Sequence, residues 1–384
     1  MITGPLASFV LGLIIVSPSL IQAQTPRYID THVHLRDTAT SPMLGNKRGG
    51  EMKRGSQMNR RPMRGERFQN RRGRQTGAGV QDGSATENLI VKMDQMGVEQ
   101  ALVVVVPGQG DLLSEYKKMR ELVNKTPERI KLMAGGAMLS EMLQGIESSN
   151  VTAQDKQQFR QTAEQLLNDG AVGFGEMISY HLCMASHHSF QYASPDHPLF
   201  LLLADIAAEH GVPIDLHMEA VVKERQMPSN LSKACSKNPA TLKPTIPALE
   251  TLLKHNQKAK IVWQHIGWDN VGDMKVDLLR DLLGKHPNLY MALRIEKRET
   301  QVGQGGVMPN RIVGGSGKIE PKWLALIRDF SDRFVIGSDE FFFERVAERP
   351  NQSFTETWAL LEQVPNAIAE KLGRTNASRI YNLH

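Results

Sequence analysis

Six side chains able to hold a cation or move a proton stand at the ends of short apolar runs. His32 and His34 lie two apart in Asp30-Thr31-His32-Val33-His34, and the period of two of an extended strand points both imidazoles to the same side. His217 ends Ile214-Asp215-Leu216-His217, His265 ends Ile261-Val262-Trp263-Gln264-His265, Glu176 ends Gly173-Phe174-Gly175-Glu176, and Asp339 follows Ile336-Gly337-Ser338. Imidazole and carboxylate together suit a divalent metal, Zn²⁺ before others, as one ion or two, and an incomplete protein shell leaves a position for water. A bound divalent cation lowers the pKa of such a water from about 15.7 toward roughly 7, which makes it a nucleophile at neutral pH. In that scheme Asp339 takes the proton and passes it to the leaving group, while His265 helps to stabilise charge on the attacked oxygen. A structural role explains any one strand-end histidine equally well. It does not explain four histidines and an acid at the same relative position on different strands.

The elements that must position these groups are legible in the pattern of the chain. Short apolar runs alternate with amphipathic helical stretches, which predicts βα units and a parallel sheet. Eight strands are expected, over residues 28–34, 101–106, 130–137, 171–176, 212–217, 259–265, 288–294 and 333–338. Several are nearly continuous apolar runs, such as Leu102 to Val106, as befits strands covered on both faces. The helices carry their own punctuation. Ser84 with Glu87 makes a capping box, Leu89, Ile90, Met93 and Met96 line one face, and Gly97 stops the helix. Phe159, Ala163, Leu166 and Leu167 do the same before Gly170, and Pro198 opens a helix that Gly211 closes. Eight such units predict a (β/α)8 TIM-like barrel, in which strand C-termini converge on one mouth and catalytic residues belong there. A doubly wound open sheet is the alternative.

Other residues near that mouth are candidates for contact with a substrate. Arg294 at the end of the seventh strand and Arg36 after the first could pair with a carboxylate or phosphate. Trp268 after His265 and Phe341 to Phe343 after Asp339 could form an apolar wall, and His181, His187 and His188 fall in the segment after the fourth strand. His210, His255 and His286 sit at helix C-termini, where a partly positive ring complements the helix dipole.

Composition narrows the class of protein. With 384 residues, 40% hydrophobic and 23% charged, the chain can bury a large core, which excludes wholesale disorder. The net charge of +5 is local in origin: residues 47–74 hold eleven Lys or Arg against Glu51 and Glu66, so the rest of the chain is net negative. Residues 38–85, rich in Gly, Arg, Gln, Met and Asn and without periodicity, read as a disordered insertion after the first strand. Its charge makes an anionic polymer or surface a candidate partner. Phe68 is its one aromatic residue, too little for stacking, so nucleic acid is not the expected partner. Residues 6–21 are apolar and precede Ile21-Gln22-Ala23, which reads as a signal peptide over 1–23 ahead of a single domain over 24–384, hence export to a periplasmic or secreted location, with an N-terminal membrane anchor as the alternative. Cys183 and Cys235 are the only cysteines, and their pairing is left open. The glycine-rich stretch 303–318 is a candidate lid. Its Gly317-Lys318 is followed by Ile319, where a phosphate-binding loop needs Ser or Thr, so nucleotide binding is excluded.

Taken together, the His-x-His on the first strand, the single histidines on the fifth and sixth and the Gly-Ser-Asp on the eighth resemble the amidohydrolase superfamily, in its amidohydrolase-related branch. Asp94-Gln95-Met96-Gly97-Val98, Gly267 after His265, and Asn376-Ala377-Ser378-Arg379-Ile380-Tyr381 extend the resemblance from Tyr28 to the C-terminus. The resemblance implies a TIM-like barrel in which His32, His34, His217 and Asp339 hold a divalent metal and His265 binds a second metal or polarises the substrate. Binuclear members often bridge two metals with a carboxylated lysine on the fourth strand, where this chain has Glu176. The implied activity is metal-dependent hydrolysis of an ester, lactone or amide-like bond in a small molecule. The same branch contains non-oxidative decarboxylases, the first alternative. A binding protein gripping an anionic polymer on an inactive barrel is the second. A homo-oligomer is compatible with the sequence.

Overall fold

A computed structural model describes residues 28–36, 84–105, 112–184, 189–295, 301–302, 306–343 and 352–383. The expected leader and nearly all of the expected insertion lie outside the described residues, as do His187 and His188. The last two positions of that insertion do not belong to it. Ser84 caps the helix Ala85–Met96, and Ala85 is buried in the core.

Among the described residues the main sheet has ten strands, nine of which follow one another around it: β1 Tyr28–Arg36, β2 Val98–Val104, β3 Ile130–Gly135, β4 Gly173–His181, β5 Pro213–Met218, β6 Lys260–Ile266, β7 Leu289–Leu293, β8 Phe334–Ile336 and β9 Glu340–Phe343; the tenth, Gln191–Tyr192, pairs antiparallel with the end of β4. Neighbours run in sequence order from β1 to β8, every pair parallel, while β9 pairs with β1. Since β8 and β9 are two halves of one segment split by Gly337-Ser338-Asp339, that segment closes the sheet on itself. The closing bonds are local: Gly337 N–H donates to Leu293 O at 3.1 Å, and Asp339 N–H to His32 O at 2.9 Å. This is the expected (β/α)8 barrel, and the eighth strand differs from expectation only in being broken at the Gly-Ser-Asp.

Alternation along the strands sorts side chains between two cores. Ala101 and Val103 pack outward against the helices, whereas Leu102 and Val104 fill the barrel interior with Ile29, Met133, Val262 and Val335. Both faces are therefore buried, which is why the strands read as continuous apolar runs. The interior is sealed from one side by the closing helix Asn376–Tyr381, whose Ala377, Ile380 and Tyr381 join the inner cluster. On the outer side Trp263 is fully buried and donates its indole N–H to Met218 O at 2.9 Å, a packing that truncation to Ala would typically cost about 3–5 kcal/mol.

The helix punctuation forms as predicted. Glu87 N–H donates to Ser84 Oγ at 3.2 Å and Ser84 N–H to Glu87 Oε2 at 2.7 Å, with Gly97 left-handed at φ 69°. Pro198 opens the helix Pro198–His210, and Gly211 ends it at φ 68°. Cys183 and Cys235 form a disulfide that ties the segment after β4 to the end of the short helix Ser229–Ala234. The glycine-rich stretch departs from a free lid where it is described: Met308, Ile312 and Val313 are buried in the outer core, and the Gln363 amide holds Ile319 N and Gly317 O. No helix of the described residues is long and apolar enough to cross a membrane.

Candidate metal centre

The six candidate ligands meet at one end of the barrel, and three of the strands that carry them do so through a local break in alternation. In β4, Phe174 and Met177 both pack in the outer core, and the pairing with β5 slips between them. One extra residue is accommodated there, so that Gly175 and Glu176 both face inward, the usual effect of a bulge. β6 repeats the device. Trp263 and Ile266 lie outside, the register against β7 slips between them, and Gln264 and His265 both turn in. In β1 a slip between Asp30 and Val33 changes phase between Ile29, which is inner, and Val33, which is outer, bringing His32 and His34 inside together. β5 needs no break: Ile214, Leu216 and Met218 pack outward while Asp215 and His217 face in. His265 and Asp339 adopt left-handed φ values of 59° and 55°, a conformation that costs about 1–2 kcal/mol for a residue with a side chain.

Glu176 corrects one expectation. It is a mid-strand residue, because β4 continues to His181. His181 is thus the last residue of the strand, not part of the following loop.

Within the centre, distances are short. His34 Nε2 stands 2.9 Å from Asp339 Oδ1 and 3.2 Å from His32 Nε2, which is 3.7 Å from the same carboxylate oxygen and 3.9 Å from Glu176 Oε1. Glu176 Oε1 is also 2.6 Å from His217 Nδ1 and from His265 Nε2. His265 Nδ1 lies 3.6 Å from Asp339 Oδ2. Three overlapping triads, His32-His34-Glu176, His32-His265-Asp339 and Glu176-His217-His265, each bring their ligand atoms within 4.8 Å of one another. Donor atoms at about 2.0–2.1 Å around a tetrahedral zinc would be about 3.3 Å apart. The 3.2 Å between the two ring nitrogens fits that edge, whereas Glu176 Oε1 stands at hydrogen-bond distance, 2.6 Å, from two imidazoles; the donor set suits a cation.

Electrostatics follow from crowding and burial. Burial opposes ionisation of Glu176, yet His217, His265 and His32 outweigh it and hold the carboxyl well below the usual range. Conversely, burial works against charge on His217, but Glu176 raises its pKa. Burial, reinforced by the other imidazoles, pushes His32 down to about 3 against the pull of Glu176 and Asp339. Asp339 is likewise opposed by burial and held far below the ordinary carboxyl range by Arg294, His265 and His34.

Around the ligands lies an arc of polar contacts that gives the other predicted residues their places. Arg294 Nη1 is 2.5 Å from Asp339 Oδ2, and its guanidinium lies 3.9 Å from the Trp268 ring centroid. Trp268 donates to Asn270 Oδ1 at 3.1 Å, and Asn270 donates in turn to Glu219. His181 stands 5.1 Å, ring to ring, from His217, and Phe341 stacks on His34 at 4.3 Å. His255 and His286 remain at their helix ends, paired with Asp205 and Glu250.

Three acids escaped the sequence reading. Asp30 Oδ1 accepts from His32 N–H at 3.0 Å and Ser338 N–H at 3.1 Å, joining the two ligand-bearing segments. Asp215 and Glu219 flank His217 at two residues on either side; strand periodicity alone placed Asp215 on its face, while Glu219 follows the end of β5. Burial pushes Glu219 up to about 7, against hydrogen bonding from Asn270 and the proximity of His217. The folded state then binds a proton that the unfolded state has released, so stability falls as pH rises from about 4.5 to about 7, by roughly 3 kcal/mol at most. In metal-stripped protein, Glu219→Gln removes that loss. Its thermal midpoint should gain on the wild type between about pH 5 and about pH 8, and a gap independent of pH would refute the coupling.

Residues 148–383 match the family model described as Amidohydrolase. Among solved structures, the chain is similar to dihydroorotase from Saccharomyces cerevisiae in complex with 5-fluoroorotic acid (11% identity, TM-score 0.49, 94% of this chain and 85% of that one). It is also similar to a dihydroxybenzoic acid decarboxylase from a Polaromonas species with bound manganese and an inhibitor (12%, TM-score 0.42, 77% and 86%). A third similar structure is an amidohydrolase 2 from Bifidobacterium longum subsp. infantis (13%, TM-score 0.43, 94% and 100%). No curated protein matches the chain.

Proposed function

The chain belongs to the amidohydrolase family, and from that premise we propose that it is a metal-dependent hydrolase of a small molecule, with a divalent cation, Zn²⁺ in our reading, held by His32, His34, Glu176, His217, His265 and Asp339. The observation that carries the proposal is the convergence of four imidazoles and two carboxylates from five strand segments, in overlapping triads whose ligand atoms lie within 4.8 Å of one another.

When bound, such a cation supplies Lewis acidity and a water acidic enough to ionise near neutral pH. The protein's own groups do the rest. Asp339 divides its carboxylate between His34 at Oδ1 and Arg294 at Oδ2, and so long as Arg294 holds Oδ2 it is a weak base. A substrate carrying a carboxylate competes for Arg294, since guanidinium pairs with either anion in the same geometry. Drawing Arg294 away frees Oδ2 to accept the proton of the attacking water and return it to the leaving group. The Trp268 face behind Arg294 and the Phe341 ring beside His34 line the approach, and His181 extends it past His217. The reading includes export, which the Cys183–Cys235 disulfide supports because such bonds persist in oxidising compartments.

Elemental analysis of the purified protein, run beside a panel of lactones, esters, amides and aromatic or enol carboxylic acids, tests both halves of the proposal. We expect one or two equivalents of a divalent metal, with turnover that consumes water. Release of CO₂ without water consumption would replace the hydrolase by a decarboxylase. Metal-free protein that binds none on titration would remove the proposal altogether.

A further inference from the structure

Below the metal centre, within a largely apolar barrel interior, a tyrosine from the far end of the chain reaches a buried acid. Asp215 is fully buried, two residues before His217 on the inward face of β5. Its Oδ1 accepts the Tyr381 hydroxyl at 2.7 Å, 166 residues on, and its Oδ2 is buried with no hydrogen-bond partner. The acid also sits directly against the peptide that carries Glu176. A Cβ on Gly175 would stand 2.8 Å from the Asp215 Cβ, so Asp215 occupies the space that the glycine leaves. It therefore touches both of the segments whose side chains meet at 2.6 Å, His217 on its own strand and Glu176 on the next.

Tyr381 is itself held fast. It ends the helix Asn376–Tyr381 that plugs the barrel, and that end of the chain is tied to ligand-bearing segments: Lys260 Nζ donates to Ile380 O at 2.6 Å, Asn376 Nδ2 to Phe334 O at 2.8 Å, and Asn382 Nδ2 to Gly211 O at 2.9 Å. Lys260 begins the strand of His265, Phe334 the segment of Asp339, and Gly211 lies just ahead of the strand of His217.

We propose that Tyr381 is a positioning residue for the metal centre, holding His217 and Glu176 at their spacing through Asp215. The inference rests on the reading of that centre as a metal site. Without the hydroxyl, Oδ1 of Asp215 loses its 2.7 Å hydrogen bond, and an under-satisfied buried carboxyl must turn to replace it. The amide of Gln264, buried and facing the same carboxyl, is a polar group able to receive it, and it directly precedes His265. The adjustment therefore falls on three ligand strands.

Zinc affinity, measured by competition with a chromophoric chelator on the full-length protein, tests this. Tyr381→Phe keeps the ring that fills the barrel and should weaken zinc binding about tenfold, the low end of what loss of an outer partner of a metal ligand costs, while the metal-free thermal midpoint moves little. Asp215→Ala should show the same loss, and the double variant no more than either alone, because both remove one link. Asp215→Asn keeps an acceptor for the hydroxyl and should stay within about threefold of the wild type. Wild-type affinity in Tyr381→Phe, or losses that multiply in the double variant, would overturn the proposal while leaving the metal centre standing. If Tyr381→Phe does not fold, equal affinities of Asp215→Ala and Asp215→Asn overturn it instead. Failure of the wild type to bind zinc removes both readings.

Discussion

Replacing Asp339 by Asn should leave a folded protein that keeps its metal and turns over a thousandfold or more slowly, within the range of about 10²–10⁴ typical of a lost proton-transfer group and added to by lost charge. The substitution is suited to the question. Asp339 has φ 55°, and asparagine is among the few residues with a side chain that tolerate this region, so the backbone at the barrel closure is not disturbed. The amide oxygen can take the place that Oδ1 holds, 2.9 Å from His34 Nε2. What is lost is the negative charge opposite Arg294 and the capacity to take a proton at Oδ2. Steady-state kinetics with the substrate found by the panel, together with metal content and thermal midpoint, separate these effects. A variant that retains metal and works within tenfold of the wild type would withdraw the proton-transfer role from Asp339.

Glu176→Gln is expected to act on the cation. Oε1 of Glu176 is shared by His217 and His265 at 2.6 Å each and lies 3.9 Å from His32, so one carboxylate oxygen organises three imidazoles. Glutamine has the same length but no charge, and its amide group would present donors toward ring nitrogens that must themselves be neutral to bind a metal. Affinity should fall about a hundredfold or more, beyond the loss expected for an outer partner, and a second equivalent of metal, if the wild type holds one, should disappear. Chelator competition and elemental analysis read both. Unchanged stoichiometry and affinity would show that Glu176 serves the fold and not the cation. The two substitutions are thus expected to part: Asn at 339 impairs turnover with metal retained, Gln at 176 impairs metal retention itself.

Much of this arrangement was legible in the residues. The helix Ala85–Met96 begins and ends where Ser84, Glu87 and Gly97 say it must, since capping is a matter of contiguous residues. The eight strands appear in order because each is an apolar run bounded by polar or turn residues. The two histidines of His32-Val33-His34 share a side, as a period of two requires. Glu176 was identified by residue type and neighbourhood but misplaced at a strand end, because nothing local marks where β4 stops.

The sequence by itself determined the barrel and marked the six candidate donors, because alternation, caps and residue chemistry are properties of neighbours along the chain. Only the tertiary structure decided that those donors meet. In β1, β4 and β6 simple alternation would not have carried the ligands inward from the phase set earlier in the strand, and a slip in register against the adjacent strand re-aims them. Such a slip is a compromise between two strands distant in sequence, each keeping its large side chains, such as Trp263 and Phe174, in the outer core. The same holds for Tyr381 and Asp215. A hydrogen bond across 166 residues exists only once the barrel has closed and its last helix has entered from the other end.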